Sequence, residues 1–169
     1  FRRPWGLATR YHDIEAMTRD AMPDFLEFHF SYKDLDLSLD EVFEPYPDGL
    51  PTGFTTHSPD LFAGDFLLNL ASTDDAHWER SIAELQRVVD TTRAMKQYFG
   101  KPADARASEH GPVIVASLGG FTKDAFVAPA EREAMYARVA EGLARVDDAG
   151  VPDDDHVATR GYGCIKGLK

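Results

Sequence analysis

Cysteine is almost missing from this chain: Cys164 stands alone in 169 residues. That excludes an internal disulfide and any zinc site built on several thiolates. Long hydrophobic runs are missing too, since no window reaches the roughly 18 apolar residues of a membrane span. Nor does a charged-then-apolar leader precede a small-residue cleavage site. Positive charge is scarce, with 18 Lys and Arg against 29 Asp and Glu and a net charge of −11. The acids spread along the chain, so neither a nucleic-acid backbone nor a membrane surface is an expected partner. Together these absences point to a soluble domain with the cytoplasm as its expected compartment. Catalytic signatures are scarce as well. No Ser-His-Asp order or Gly-x-Ser-x-Gly elbow occurs, and Gly119-Gly120 lacks the spacing of a P-loop or a dinucleotide fingerprint.

What is present suits a packed core, with 43% apolar and 28% charged residues. Four apolar or alternating runs have strand length: WGLATRY (5–11), DFLEFHFS (24–31), GFTTHSP (53–59) and PVIVASLGG (112–120). Between the first two, HDIEAMTRDAM predicts a short helix capped by Asp13, with Ile14, Met17 and Met22 facing inward. The span SLDEVFEPYPDGLP predicts a helical turn at 38–43 and then a loop, given its three prolines and one glycine. Residues 75–99 carry Ile82, Leu85, Val89, Thr92, Met95 and Phe99 at spacings of three and four, which builds one apolar stripe. Gly100 ends that helix, with Pro102 beyond it. A further helix is predicted from Pro129 to Val146, with Met135, Tyr136, Val139, Leu143 and Val146 on its buried side and Pro129 in its first turn.

Strands alternating with helices imply parallel strands joined by crossovers, hence an α/β fold. An open doubly wound sheet and part of a TIM-type (β/α) barrel both satisfy that rule. The strand at 24–31 carries polar residues on alternate positions, which suits a barrel wall better than a sheet covered on both faces. Four to five β/α units are expected over residues 1–149. The last stretch, 150–169, holds three consecutive aspartates and four glycines without apolar period. It reads as a flexible or non-native tail. The chain opens on Phe1, so a piece of a longer product is expected.

In a parallel barrel the chemistry gathers where strands end. The strand ends here supply Arg10 and His12, then Glu27, His29 and Ser31, then His57, then Ser117, Gly119 and Gly120. Glu27, His29 and Ser31 share a face because a strand repeats every two residues, and the neighbouring phenylalanines are expected to pack under the helices. Glu27 and His57 are the candidate catalytic pair: a base and an acid that move a proton between sugar carbons, or two ligands of a divalent ion. Lys33 and Lys123 are candidates for binding an acidic sugar. A hydrogen-bonded core histidine is the structural alternative for His29, and a solvated side chain for each lysine.

GLATRYHDIEAM, DFLEFHFSYKDLDL, HSPDLFAGDFLLNLAS, SIAELQRVVDTTRAMKQYF and PVIVASLGGFTKDAF, taken in that order, resemble the C-terminal extension of long bacterial N-acetylneuraminate (sialic acid) synthase proteins. That extension is similar to the xylose-isomerase-like TIM barrels of sugar phosphate isomerases and epimerases. The resemblance covers residues 5 to 150. It implies a role in nonulosonic acid or other cell-surface carbohydrate biosynthesis, with a small sugar or sugar phosphate as ligand. It also implies a divalent ion (Mn, Mg or Zn) in the full-length protein, held by His and carboxylates at strand ends. His57 matches the third-strand histidine of those barrels, whereas Ser117 stands where their fourth-strand histidine is found. The segment alone is therefore expected to bind no metal tightly and to be inactive, or to serve as a carbohydrate-binding or scaffolding barrel. The third reading is an active metal-dependent isomerase or epimerase. A homo-oligomer or the remainder of the full-length chain is the expected macromolecular partner.

Overall fold

The computed structural model describes residues 5–100, 112–119 and 127–147. Its centre is a four-stranded parallel sheet made of β1 (Gly6–Thr9), β2 (Phe25–His29), β3 (Gly53–His57) and β6 (Ile114–Val115), in that spatial order. Parallel pairing is continuous, with Ala8 opposite Glu27, Glu27 opposite Thr55, and His29 opposite His57 opposite Val115. The expected α/β class with a parallel sheet is thus observed, and the strands follow chain order without a reversal.

The helices are α1 (Ile14–Thr18), α2 (Leu39–Phe43), α3 (Asp75–Met95) and α4 (Pro129–Arg145). They exist where the sequence periodicity places them, and their ends have local causes. The Ser38 hydroxyl accepts from Glu41 N–H at the start of α2, and the Asp74 carboxylate accepts from Ala76 and His77 N–H at the start of α3. Both caps satisfy backbone donors that lack an intrahelical partner. Asp13 precedes α1 but makes no side-chain capping bond, contrary to the sequence reading. Its helical backbone angles explain this, because a capping residue normally sits in the extended region. Met22, expected to face inward, is 38% exposed, since α1 ends at Thr18, well before it.

The core lies on one face of the sheet. Leu26 and Phe28 of β2, Phe54 of β3 and Ile14, Phe43, Leu85, Val88 and Met95 of the helices form one buried cluster. Tyr11 packs against Phe28 and Phe30, and Phe99 against Phe28 and Phe54. Thr92, counted in the α3 stripe by spacing, is buried because its hydroxyl is satisfied twice. It donates to the Val88 carbonyl at 2.8 Å and accepts from Thr56 of β3 at 2.9 Å. A buried hydroxyl without those bonds would cost about 1–3 kcal/mol.

The phenylalanines divide between the faces, which corrects the expectation that all pack under helices. Phe28 and Phe30 do, with Leu26 as their partner in phase. Phe25 is half-buried on the opposite face, in phase with Glu27 and His29. Its ring lies over Gly6, directly opposite in the register, where a Cβ would collide with it.

Two further features were not read from sequence. A short antiparallel hairpin, β4 (Leu61–Phe62) with β5 (Phe66–Leu67), interrupts the connection from β3 to α3. It buries Phe62 and Phe66, leaves Leu61 and Leu67 exposed, and is tied to α3 by Arg80 donating to the Ala63 carbonyl at 2.7 Å. The second is the clamp between α3 and α4, where Trp78 lies under both Arg138 and Arg145, and Gly142 packs on Leu70 and Trp78. The run at 112–120 forms a strand over two residues only. Gly120, Lys123 and the tail 150–169 lie outside the described residues. No helix of the described residues is long and apolar enough to cross a membrane.

Candidate functional site

The face of the sheet opposite the core carries Gly6 and Ala8 from β1, Phe25, Glu27 and His29 from β2, Gly53, Thr55 and His57 from β3, and Val115 from β6. The alternation of buried and half-buried residues along β2 and β3 is the physical signature of one covered and one accessible face. Along the strand direction that face has three levels. Phe25 lies between Gly6 and Gly53, Glu27 between Ala8 and Thr55, and His29 beside His57 at the C-terminal edge.

Three of the sequence candidates meet there. The Glu27 carboxylate contacts His29 Nε2 at 2.8 Å, and the His29 ring stacks on the His57 ring with centroids 4.8 Å apart and planes 15° from parallel. His57 Nδ1 lies 3.0 Å from the carbonyl oxygen of Ser58. The side chains of Glu27 and His29 are 35% and 43% exposed, so the group is accessible from the open side. Direct opposition across a parallel pair brings the two imidazoles together, since each ends its strand at the same level.

A second group forms the rim. Asp34, in the turn after β2, accepts from Ser31 N–H at 2.6 Å and lies 3.9 Å from Arg10 beyond β1. Arg87 of α3 reaches Asp36 in the same turn at 2.6 Å. The turn is held from three sides, and Ser31 takes part through its backbone. Sequence reasoning named Arg10 and Ser31 and missed Asp34, although an acid three residues after a Ser is a familiar helix-start signal.

The remaining candidates are not drawn into these contacts. Lys33 is exposed at the start of the turn. Ser117 is half-buried two residues beyond Val115. Gly119 is buried with φ +97°, and a Cβ there would collide with Asn69. Leu70 N–H donates to the adjoining Leu118 carbonyl at 2.8 Å. Close backbone approach therefore accounts for a glycine at 119. His12 is exposed beside Asp13 at 3.6 Å, and His77 contacts the Leu67 carbonyl at 2.8 Å while packing on Phe66.

The metal implied by resemblance finds a short donor set. Glu27 is already engaged by His29, and no group of three or more His, Cys, Asp or Glu among the described residues is placed to hold an ion. A catalytic zinc site normally takes three protein ligands. The described residues do not fit one. What the arrangement offers is an accessible carboxylate and two imidazoles, the usual equipment for moving protons.

Comparison with protein-family models, with curated proteins and with solved structures found no match for this chain.

Proposed function

We propose that this chain is a sugar-directed α/β domain, barrel-like in plan, whose open face binds a sugar or sugar phosphate and exchanges a proton at one of its carbons. The contact of Glu27 with His29, and of His29 with His57, at the C-terminal edge of a parallel sheet is the observation that carries the reading. Proton-transfer groups are useful where a ligand can reach them, and strand C-termini are where parallel α/β folds place ligands. The barrel plan draws support from strand order. Consecutive strands lie side by side, and the buried cluster uses one face only. Polar side chains at the C-terminal end of the strands, backed by a helical layer on the other face, suit the site end of a barrel wall. The likeness in sequence to the isomerase-like extension of sialic acid synthase proteins extends the proposal to nonulosonic acid biosynthesis.

Incubation with a panel of aldoses, ketoses, amino sugars and their phosphates in deuterium oxide tests this directly. At least one member is expected to exchange a carbon-bound proton, followed by NMR, and His57→Gln to abolish the exchange. A panel in which no sugar binds or exchanges would sink the proposal. A second reading, a carbohydrate-binding barrel without catalysis, is favoured by Ser117 where the resembling barrels carry a histidine. Saturation-transfer binding without any exchange would decide for it.

A further inference from the structure

We propose that His57 is the proton acceptor of this face, acting through Nε2, and that Glu27 with His29 forms the pair that positions it. This rests on the sugar-directed reading above.

The assignment follows from which atoms can donate. A carbonyl oxygen only accepts, so the 3.0 Å contact between His57 Nδ1 and the Ser58 carbonyl requires the proton on Nδ1. The neutral ring then keeps its lone pair on Nε2. Ser58 is a firm anchor. It is 2% exposed, its N–H donates to the Val115 carbonyl at 2.8 Å, and its hydroxyl donates to the Pro59 carbonyl at 3.1 Å. Among the described residues Nε2 of His57 has no hydrogen-bond partner, and the ring stands on the open face.

Glu27 and His29 have the opposite arrangement. An ionised carboxylate only accepts, so His29 Nε2 carries its proton toward Glu27, and in the neutral ring the lone pair lies on Nδ1. The two stacked rings hold opposite tautomers. Glu27 orients His29, and the stacked His29 ring and the Ser58 carbonyl together orient His57. The carboxylate also places a negative charge one ring away from the positive charge that His57 gains. In the proton-transfer step, the Nε2 lone pair forms an N–H bond with a proton from the carbon beside an open-chain sugar carbonyl. The C–H electron pair becomes the new C=C bond as the carbonyl π pair moves to oxygen, leaving an enediolate and an imidazolium. Return of that proton to carbon regenerates neutral His57.

Long-range proton–nitrogen correlation on the histidine-labelled chain reads the tautomers without a ligand. The expected pattern is a bare Nε2 on His57 and a bare Nδ1 on His29. Free histidine side chains favour the proton on Nε2, so a His57 spectrum of that ordinary kind would overturn the assignment. Carbethoxylation by diethyl pyrocarbonate, mapped by peptide mass, needs no variant. His57 should react several-fold faster than His29, and Glu27→Ala should raise the His29 rate toward that of His57. Equal rates in the unaltered chain count against the proposal. Where a sugar exchanges, His57→Gln should remove the exchange and Glu27→Gln should slow it, lowering kcat more than it raises KM. Exchange that survives His57→Gln would refute the role of His57 and leave the sugar reading intact. The expected tautomers and reactivity in a chain that exchanges no sugar would support the assignment and count against the sugar reading.

Discussion

The imidazole of His29 lies flat against that of His57, their centroids 4.8 Å apart, although 28 positions separate them in sequence. The stack exists because β2 and β3 are paired in parallel with Phe25 opposite Gly53, which brings two strand ends level. A shift of one residue would turn one ring into the core. The geometry of this face thus depends on the register as much as on the residues.

Stability and chemistry should separate by face. His57→Ala and Glu27→Ala remove half-exposed groups and are expected to change unfolding free energy by no more than about 1 kcal/mol. Proton exchange should fall by about 100-fold or more in the His57 variant. Urea titrations beside exchange rates check this. Loss of several kcal/mol from either change would mean that the face is part of the core.

The division of the phenylalanines gives a sharper comparison. Phe28 is fully buried against Tyr11, Phe54 and Phe99, so Phe28→Ala should cost about 3–5 kcal/mol. Phe25→Ala should cost roughly half of that or less, because its ring is half-buried over Gly6. Equal losses in urea midpoint at constant slope would contradict the assignment of Phe25 to the open face.

Gly119→Ala is expected to destabilise by about 1–3 kcal/mol, combining a positive φ with a collision at Asn69. Gly64 shares the positive φ but has open space around it, so Gly64→Ala should cost less, about 1 kcal/mol. Thermal melts of the two variants, measured together, separate steric collision from backbone strain.

Alkaline pH should destabilise the fold. Burial, with a smaller contribution from Asp34, pushes the Tyr11 phenol above its ordinary value of 10.0. The hydrogen bond to Asp40, followed by desolvation, pushes Tyr98 in the same direction. Each folded phenol holds its proton more tightly than the unfolded one. Their contribution is therefore complete below pH 10.0 and is lost as pH rises above it toward the folded values. Urea midpoints should fall as pH rises from about 10 to 11.5, and Tyr11→Phe should flatten the decline. A flat profile in the unaltered chain would disprove this linkage. The acid limb has the opposite sign. Arg145, hydrogen-bonded to Glu79, lowers that carboxyl, so its contribution is present above the ordinary 4.5 and disappears as pH falls through the lower folded value.

Much of the framework was legible along the chain. Alternation every two residues marked β2 and β3, and the three- and four-residue spacing marked α3 and α4, because these periods follow from backbone geometry. Apolar character misled at Phe25, where parity was the better guide. The hairpin at 61–67 escaped because two-residue strands carry no period. Asp34 escaped because its importance lies in reaching Arg10 and Ser31 from a turn.

By itself the sequence determined the main strands and helices, the polar side of the strands and most of the candidates, since each of these follows from residues close together on the chain. Only the tertiary structure decided that Glu27 meets His29 before His57, that His57 Nδ1 meets the Ser58 carbonyl, and that Gly119 serves packing against Asn69. Those relationships depend on strand register and on a loop returning to a strand end. Both are set by burial of the shared core on the opposite face, and no local pattern encodes them.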